Sequence, residues 1–170
     1  KNGNLKEAGN IYKDLIKEGT KNHTVYGNFA VICGMSGEKN KMIELLNTAL
    51  EIEPNYPEAY YNLGIALQGK GQLEEAISSY KQALRLKPQY PGPLYHLGLA
   101  LQEKGNNKAA IAFYEQALKL KPKYPEVLFS LGNAHKQLGD VSSAIAFYQK
   151  ALKIEPNSPE FLTNLGKILE

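Results

Sequence analysis

The chain has 170 residues, 43% hydrophobic and 22% charged, a composition ordinary for a folded globular protein and too apolar for a disordered tail. Its single cysteine leaves no disulfide within the chain and no cysteine-based zinc site, and His23, His96 and His135 are too scattered to build one. A net charge of +3, from 20 basic and 17 acidic residues, is too mild for a nucleic-acid footprint. No apolar run approaches the roughly 20 residues of a membrane span, and the N-terminus has no signal-peptide pattern.

The length is five times 34, and 34 is also the period at which the sequence repeats. Glycine recurs at Gly3, Gly37, Gly71, Gly105 and Gly139; proline recurs at Pro54, Pro88, Pro122 and Pro156, and again at Pro57, Pro91, Pro125 and Pro159. The glycines fall between stretches of helical periodicity, where a residue in the left-handed region ends one helix and reverses the chain. Proline at Pro57 and its equivalents suits a first helical turn, and Pro88 and its equivalents stop the helix before them. The unit is a helical hairpin.

In chain order, 1–22 reads as the second helix of a truncated repeat, with Ile11 and Leu15 on an open apolar face. The unit 23–56 departs furthest from the pattern. It has Ala30 where others have glycine, Met42 for alanine, Leu46 for tyrosine, and extra glycines at Gly27 and Gly34, each costing about 1 kcal/mol against alanine in a helix interior. In 57–90 the helices are expected near 57–70 and 73–86, with Leu63, Ala66 and Leu67 on one apolar face and Ala76, Ile77, Tyr80 and Ala83 on the other. The small pair Gly64 and Ala76 allows close approach, and Tyr80 fills the space beside it. Units 91–124 and 125–158 follow the same plan. The last stretch, 159–170, reads as the first helix of a truncated or capping repeat, with Leu162, Leu165 and Leu169 on an open face. This phase predicts a piece of a longer array, with the native N-terminus outside the sequence.

Motifs for chemistry are absent or fail on context. Gly64 to Lys70 has the spacing of a phosphate-binding loop, but Gly71 replaces the serine or threonine that holds magnesium, and the run lies on a predicted helix. Cys33 and His135 face the partner helix, so the first reads as a buried structural thiol and the second as a hydrogen-bonded core histidine. Asn22-His23-Thr24 matches a glycosylation acceptor by a tripeptide common by chance. No catalytic residue, cofactor or metal is expected.

The 34-residue pattern resembles the tetratricopeptide repeat. In 57–90 the matching residues are Tyr60, Leu63, Gly64, Leu67, Ala76, Tyr80, Ala83 and Pro88; in 91–124 they are Leu94, Leu97, Gly98, Leu101, Ala110, Tyr114, Ala117 and Pro122; in 125–158 they are Leu128, Leu131, Gly132, His135, Ala144, Tyr148, Ala151 and Pro156. The resemblance implies an all-α fold, a right-handed superhelical solenoid of antiparallel helix-turn-helix units whose first helices line a concave groove. It assigns to that groove Tyr61, Tyr95 and Phe129, in a row begun by Gly27. A polar row follows, Asn28, Asn62, His96, Ser130 and Asn164, and then a row containing Ile65, Leu99 and Asn133. Asparagine offers both a donor and an acceptor to a peptide backbone, and the aromatic residues offer rigid apolar contact. The polar row is similar to the asparagine ladder of the array preceding the catalytic domain in protein O-linked N-acetylglucosamine transferases, interrupted here at His96 and Ser130; bacterial tetratricopeptide proteins are the other likeness. The cations with which chaperone-binding members clamp a terminal carboxylate are missing, since the corresponding places hold Gly27, Val31, Tyr61, Ile65, Gly92 and His96.

The resemblance therefore implies a non-catalytic scaffold that binds an extended peptide or protein segment, with no nucleic acid and no membrane span. Two alternatives stand beside it. One is the substrate-recruiting arm of a larger enzyme such as a glycosyltransferase; the other is an assembly module in which 159–170 of one molecule stacks head-to-tail on 1–22 of another. The expected compartment is the cytoplasm.

Overall fold

The computed structural model describes residues 2–169, with side chains from residue 4 onward; Lys1 and Glu170, the outer ends of the first and last predicted helices, lie outside the described residues. All regular structure among the described residues is helical. The order is α1 (Asn2–Lys17), α2 (His23–Met35), α3 (Lys39–Ile52), α4 (Pro57–Gln68), α5 (Leu73–Leu86), α6 (Pro91–Glu103), α7 (Asn107–Leu120), α8 (Pro125–Gln137), α9 (Val141–Ile154) and α10 (Pro159–Leu169). No helix among them is long and apolar enough to cross a membrane. The chain divides into two compact units, one ending at Pro88 and the other beginning at Gln89. In the first, α2 pairs with α3 and α4 with α5, α1 packs on α2, and α3 on α4. In the second, α6 pairs with α7 and α8 with α9, α7 packs on α8, and α10 packs on α9.

The punctuation residues act where their chemistry requires. Gly37, Gly71, Gly105 and Gly139 have φ between 78° and 81°, a backbone that side chains disfavour. Each closes the first helix of a hairpin: Gly71 N–H donates to Gln68 O at 2.9 Å and Gln72 N–H reaches back to Leu67 O at 3.0 Å. That pair of hydrogen bonds ends α4 at Gln68, two residues before the predicted end. Gly3, by contrast, lies inside α1. A glycine outside the periodic row, Gly19 (φ 78°), ends α1 instead, donating to Ile16 O at 3.0 Å. It is needed because Thr20 stands where later units carry the helix-stopping proline.

Three hairpins share one core device. Tyr80, Tyr114 and Tyr148 are fully buried on the second helices, each lying over a glycine of the first helix, Gly64, Gly98 or Gly132. The buried hydroxyls need acceptors. Tyr80 donates to Gln68 Oε1 at 2.9 Å and Tyr114 to Gln102 Oε1 at 2.8 Å. The third hairpin has Lys136 at that place, a side chain with donors only, and Tyr148 turns to Asn133 Oδ1 at 2.7 Å. The divergent hairpin α2/α3 fills the same space differently. Ala30 and Leu46, both fully buried, replace the glycine and the tyrosine, so a methyl is gained where an aromatic ring is lost. Its extra glycines serve packing rather than looseness: a Cβ on Gly34 would lie 2.6 Å from Met42 Sδ, and one on Gly27 2.8 Å from the Tyr56 hydroxyl.

The other singled-out residues find local roles. Cys33 is 2% exposed, and burial pushes its thiol up from the ordinary value. His135 Nδ1 lies 3.1 Å from Asp140 Oδ2, with its ring stacked on Phe147 at 5.3 Å. Asp140 caps α9, accepting from Ser143 N–H at 3.1 Å and Ser142 Oγ at 3.0 Å. Those hydrogen bonds, with Ser143 foremost, hold its carboxyl at about 2. Asn22 caps α2, accepting from Thr24 N–H at 3.0 Å and Thr24 Oγ1 at 2.7 Å, which accounts for the Asn-His-Thr tripeptide. The phosphate-loop-like run lies on α4 and its C-terminal cap, with Gly64 under Tyr80. At the two ends, Ile11, Leu162 and Leu169 are exposed, whereas Leu15 and Leu165 are half-buried.

Candidate functional site

The residues assigned to the groove sit on the first helix of each hairpin and are held by what lies beneath them. In the first unit, Asn28 is exposed on α2, while Tyr61, Asn62 and Ile65 are half-buried on α4. The Tyr61 ring leans on the buried Tyr80 at a centroid distance of 6.3 Å. At the level of α2 the aromatic row holds only Gly27, and the ring comes from elsewhere. Tyr56, just before α4, lies over Gly27 and meets His23 edge-on at 4.9 Å. The signal for it was periodic: Tyr56, Tyr90 and Tyr124 recur one residue before the helix-opening prolines.

In the second unit, α6, α8 and α10 enclose a concavity of about 230 Å³. Five of the assigned residues line it: Tyr95, Leu99, Phe129, Ser130 and Asn133. Glu126, Glu160 and Phe161, which lie outside the assigned rows, complete the wall. The volume lies below the several hundred cubic ångströms usual for a whole small-molecule site, so it suits one side chain of a longer ligand.

Its members differ in how much they present. Tyr95 is half-buried, with its ring 6.0 Å from Tyr114 and 5.3 Å from Tyr124. Burial raises its hydroxyl pKa, a hydrogen bond with Ser130 opposes the rise, and the Glu126 and Glu160 carboxylates add to it. Ser130 is 5% exposed and also bonds to Tyr114. Phe129 is 7% exposed because Phe161 stacks on it at 4.7 Å and 27°. It belongs to the core of α8, α9 and α10 as much as to the groove floor. Asn133 already accepts from Tyr148, and Asn164 donates to Glu160 O at 3.0 Å while accepting from Lys136 Nζ at 3.4 Å. The amide side chains of the assigned groove in this unit are thus largely engaged within the protein. Among the described residues, no group of three or more His, Cys, Asp or Glu side chains is arranged to hold a metal ion.

His96, in the same row, is half-buried beside the Tyr95 ring, 5.2 Å away. Burial lowers its pKa from 6.5 to about 4, so the folded imidazole is neutral where the unfolded one has begun to protonate. The unfolded state binds the extra proton, and the resulting penalty on folding is absent above about pH 6.5, grows as pH falls, and is complete below about 4. Stability is expected to fall by about 1–3 kcal/mol across that window, and His96→Asn to remove most of the fall. Urea unfolding of both proteins at pH 7 and pH 4.5 checks this; parallel losses would refute it.

Three family profiles match the chain: one described as "TPR repeat" over residues 69–105, and two described as "Tetratricopeptide repeat" over residues 45–78 and 101–168. No curated protein matches. Among solved structures, the crystal structure of MamA is 28% identical with a TM-score of 0.82, covering 91% of each chain. A thermophilic TPR protein of Thermus thermophilus is 27% identical with a TM-score of 0.76, over 98% of this chain and 91% of that one. YrrB, described as a TPR protein with an unusual peptide-binding site, is 23% identical with a TM-score of 0.77, over 92% of this chain and 81% of its own, a likeness of fold.

Proposed function

The chain belongs to the tetratricopeptide repeat family, and we propose that it is a non-catalytic scaffold that holds an extended peptide or protein segment against its first helices. One observation carries this reading: five residues assigned to a groove from sequence line a single concavity in the second unit, of a size for one side chain. The half-buried Tyr95 ring gives such a surface the apolar contact of an interface anchor, and Asn133, whose oxygen is held by Tyr148, offers its Nδ2 donors to a backbone carbonyl. YrrB, a protein of the same fold with a peptide-binding site, supports the reading at the level of architecture.

The test uses Tyr95, the half-buried ring of the aromatic row at the concavity. A displayed library of random extended peptides is selected on the protein, and the best binder is titrated against the wild type and the Tyr95→Ala variant. Affinity is expected to fall at least about fivefold, the loss of one anchor of about 1 kcal/mol or more, with far-UV circular dichroism unchanged. Phe129→Ala is unsuited to this purpose, since stacking on Phe161 makes the ring part of the core. Equal affinity for variant and wild type would remove the groove assignment.

A further inference from the structure

We propose that the concavity of the second unit takes a cationic side chain, lysine or arginine, of the bound segment, with Glu126 and Glu160 as its counter-charges and the Tyr95 ring as the face it lies against. This inference rests on the groove reading above and names the partner's chemistry. Both carboxylates line the same small concavity, one from α8 and one from α10, and both are exposed rather than folded into the core. Among the described residues, neither stands in an ion pair with a lysine, arginine or histidine of this protein. Each lies in the first turn of its helix, where the macrodipole favours negative charge. Both raise the pKa of the Tyr95 hydroxyl, so their fields converge on that ring.

Beneath them the surface is aromatic. Tyr95 presents a half-buried ring, and the stacked pair Phe129 and Phe161 makes the floor. An anionic rim over an aromatic floor favours a side chain with an apolar stem and a charged end, which describes lysine and arginine and excludes an acidic or purely apolar residue. The neighbouring ring shows the same preference: Lys121 Nζ lies 3.9 Å from the centroid of Tyr124, itself 5.3 Å from Tyr95. Two exposed carboxylates and one cation–π contact together amount to about a tenfold preference over a neutral side chain of similar length.

The ¹⁵N-labelled chain is titrated with three terminally blocked hexapeptides of alternating serine and leucine that differ at one central position, which is arginine, lysine or glutamine. The expected result is that the arginine and lysine peptides shift the amides of 126–133 and 159–164 and bind about tenfold tighter than the glutamine peptide. E126Q/E160Q should bring them to the level of the glutamine peptide, and added salt should erode the preference in the wild type. Either cation ahead of glutamine supports the assignment. Equal binding of all three peptides, or an unchanged preference in E126Q/E160Q, overturns the cation assignment and leaves the groove reading standing. Absence of any shift on these first helices with all three peptides overturns both.

Discussion

Gly98→Ala is expected to destabilise the protein by about 1–3 kcal/mol in urea unfolding, although alanine is the better helix former by about 1 kcal/mol. An added Cβ would lie 2.7 Å from Tyr114 Cδ1 and 3.1 Å from its Cζ, well inside van der Waals contact. The ring has little freedom to give way. It is fully buried, and its hydroxyl is fixed to Gln102 Oε1 at 2.8 Å. The protein carries its own remedy in the α2/α3 hairpin, where Ala30 and Leu46 occupy the equivalent places at full burial. Tyr114→Leu alone leaves a cavity and is expected to cost about 2–4 kcal/mol, while Gly98→Ala in that background meets space instead of a ring. The double-mutant cycle should therefore show at least about 1 kcal/mol of favourable coupling. Additive losses, or a stabilised Gly98→Ala protein, would mean that the glycine row is not set by the tyrosines above it.

This coupling also separates what the sequence makes legible from what it hides. Chain reversal and helix starts are local events, so the left-handed glycines and the first-turn prolines are visible in one row of residues each. The role of Tyr80 over Gly64 was readable because both recur at the same period. Other assignments depend on a neighbour at a distance. Asn133 stood in the groove row by period, yet the buried Tyr148 hydroxyl claims it because Lys136 cannot accept a hydrogen bond. Gly27 and Gly34 looked like weaknesses of a divergent helix, when each makes room for one bulky side chain, Tyr56 or Met42. Phe129 was assigned to the groove, but Phe161 of the next first helix covers it. Glu126 and Glu160 read as ordinary first-turn acids, and only the packing of α8 with α10 brings them to one concavity.

Phe161→Ala is expected to release α10 from the second unit. The eleven described residues of the helix are too few to be stable alone in water, so their helicity depends on packing. Most of that packing passes through Phe161, 4% exposed, stacked on Phe129 and joined to the cluster of Leu128, Ala144, Tyr148 and Ala151; Leu165 and Ile168 contribute only partly buried contact. Removing a buried phenylalanine ring costs about 3–5 kcal/mol, which should appear first as local opening rather than global unfolding. Amide exchange across 163–169 is expected to quicken by at least about a hundredfold, while α8 and α9 keep most of their protection and Phe161→Leu loses far less. The site feels the same change. Glu160 leaves with its helix, so E160Q should no longer alter affinity for a cationic peptide in the Phe161→Ala background, whereas E126Q on the anchored α8 still should. Retained exchange protection in α10 would show that the helix is held by contacts other than this ring.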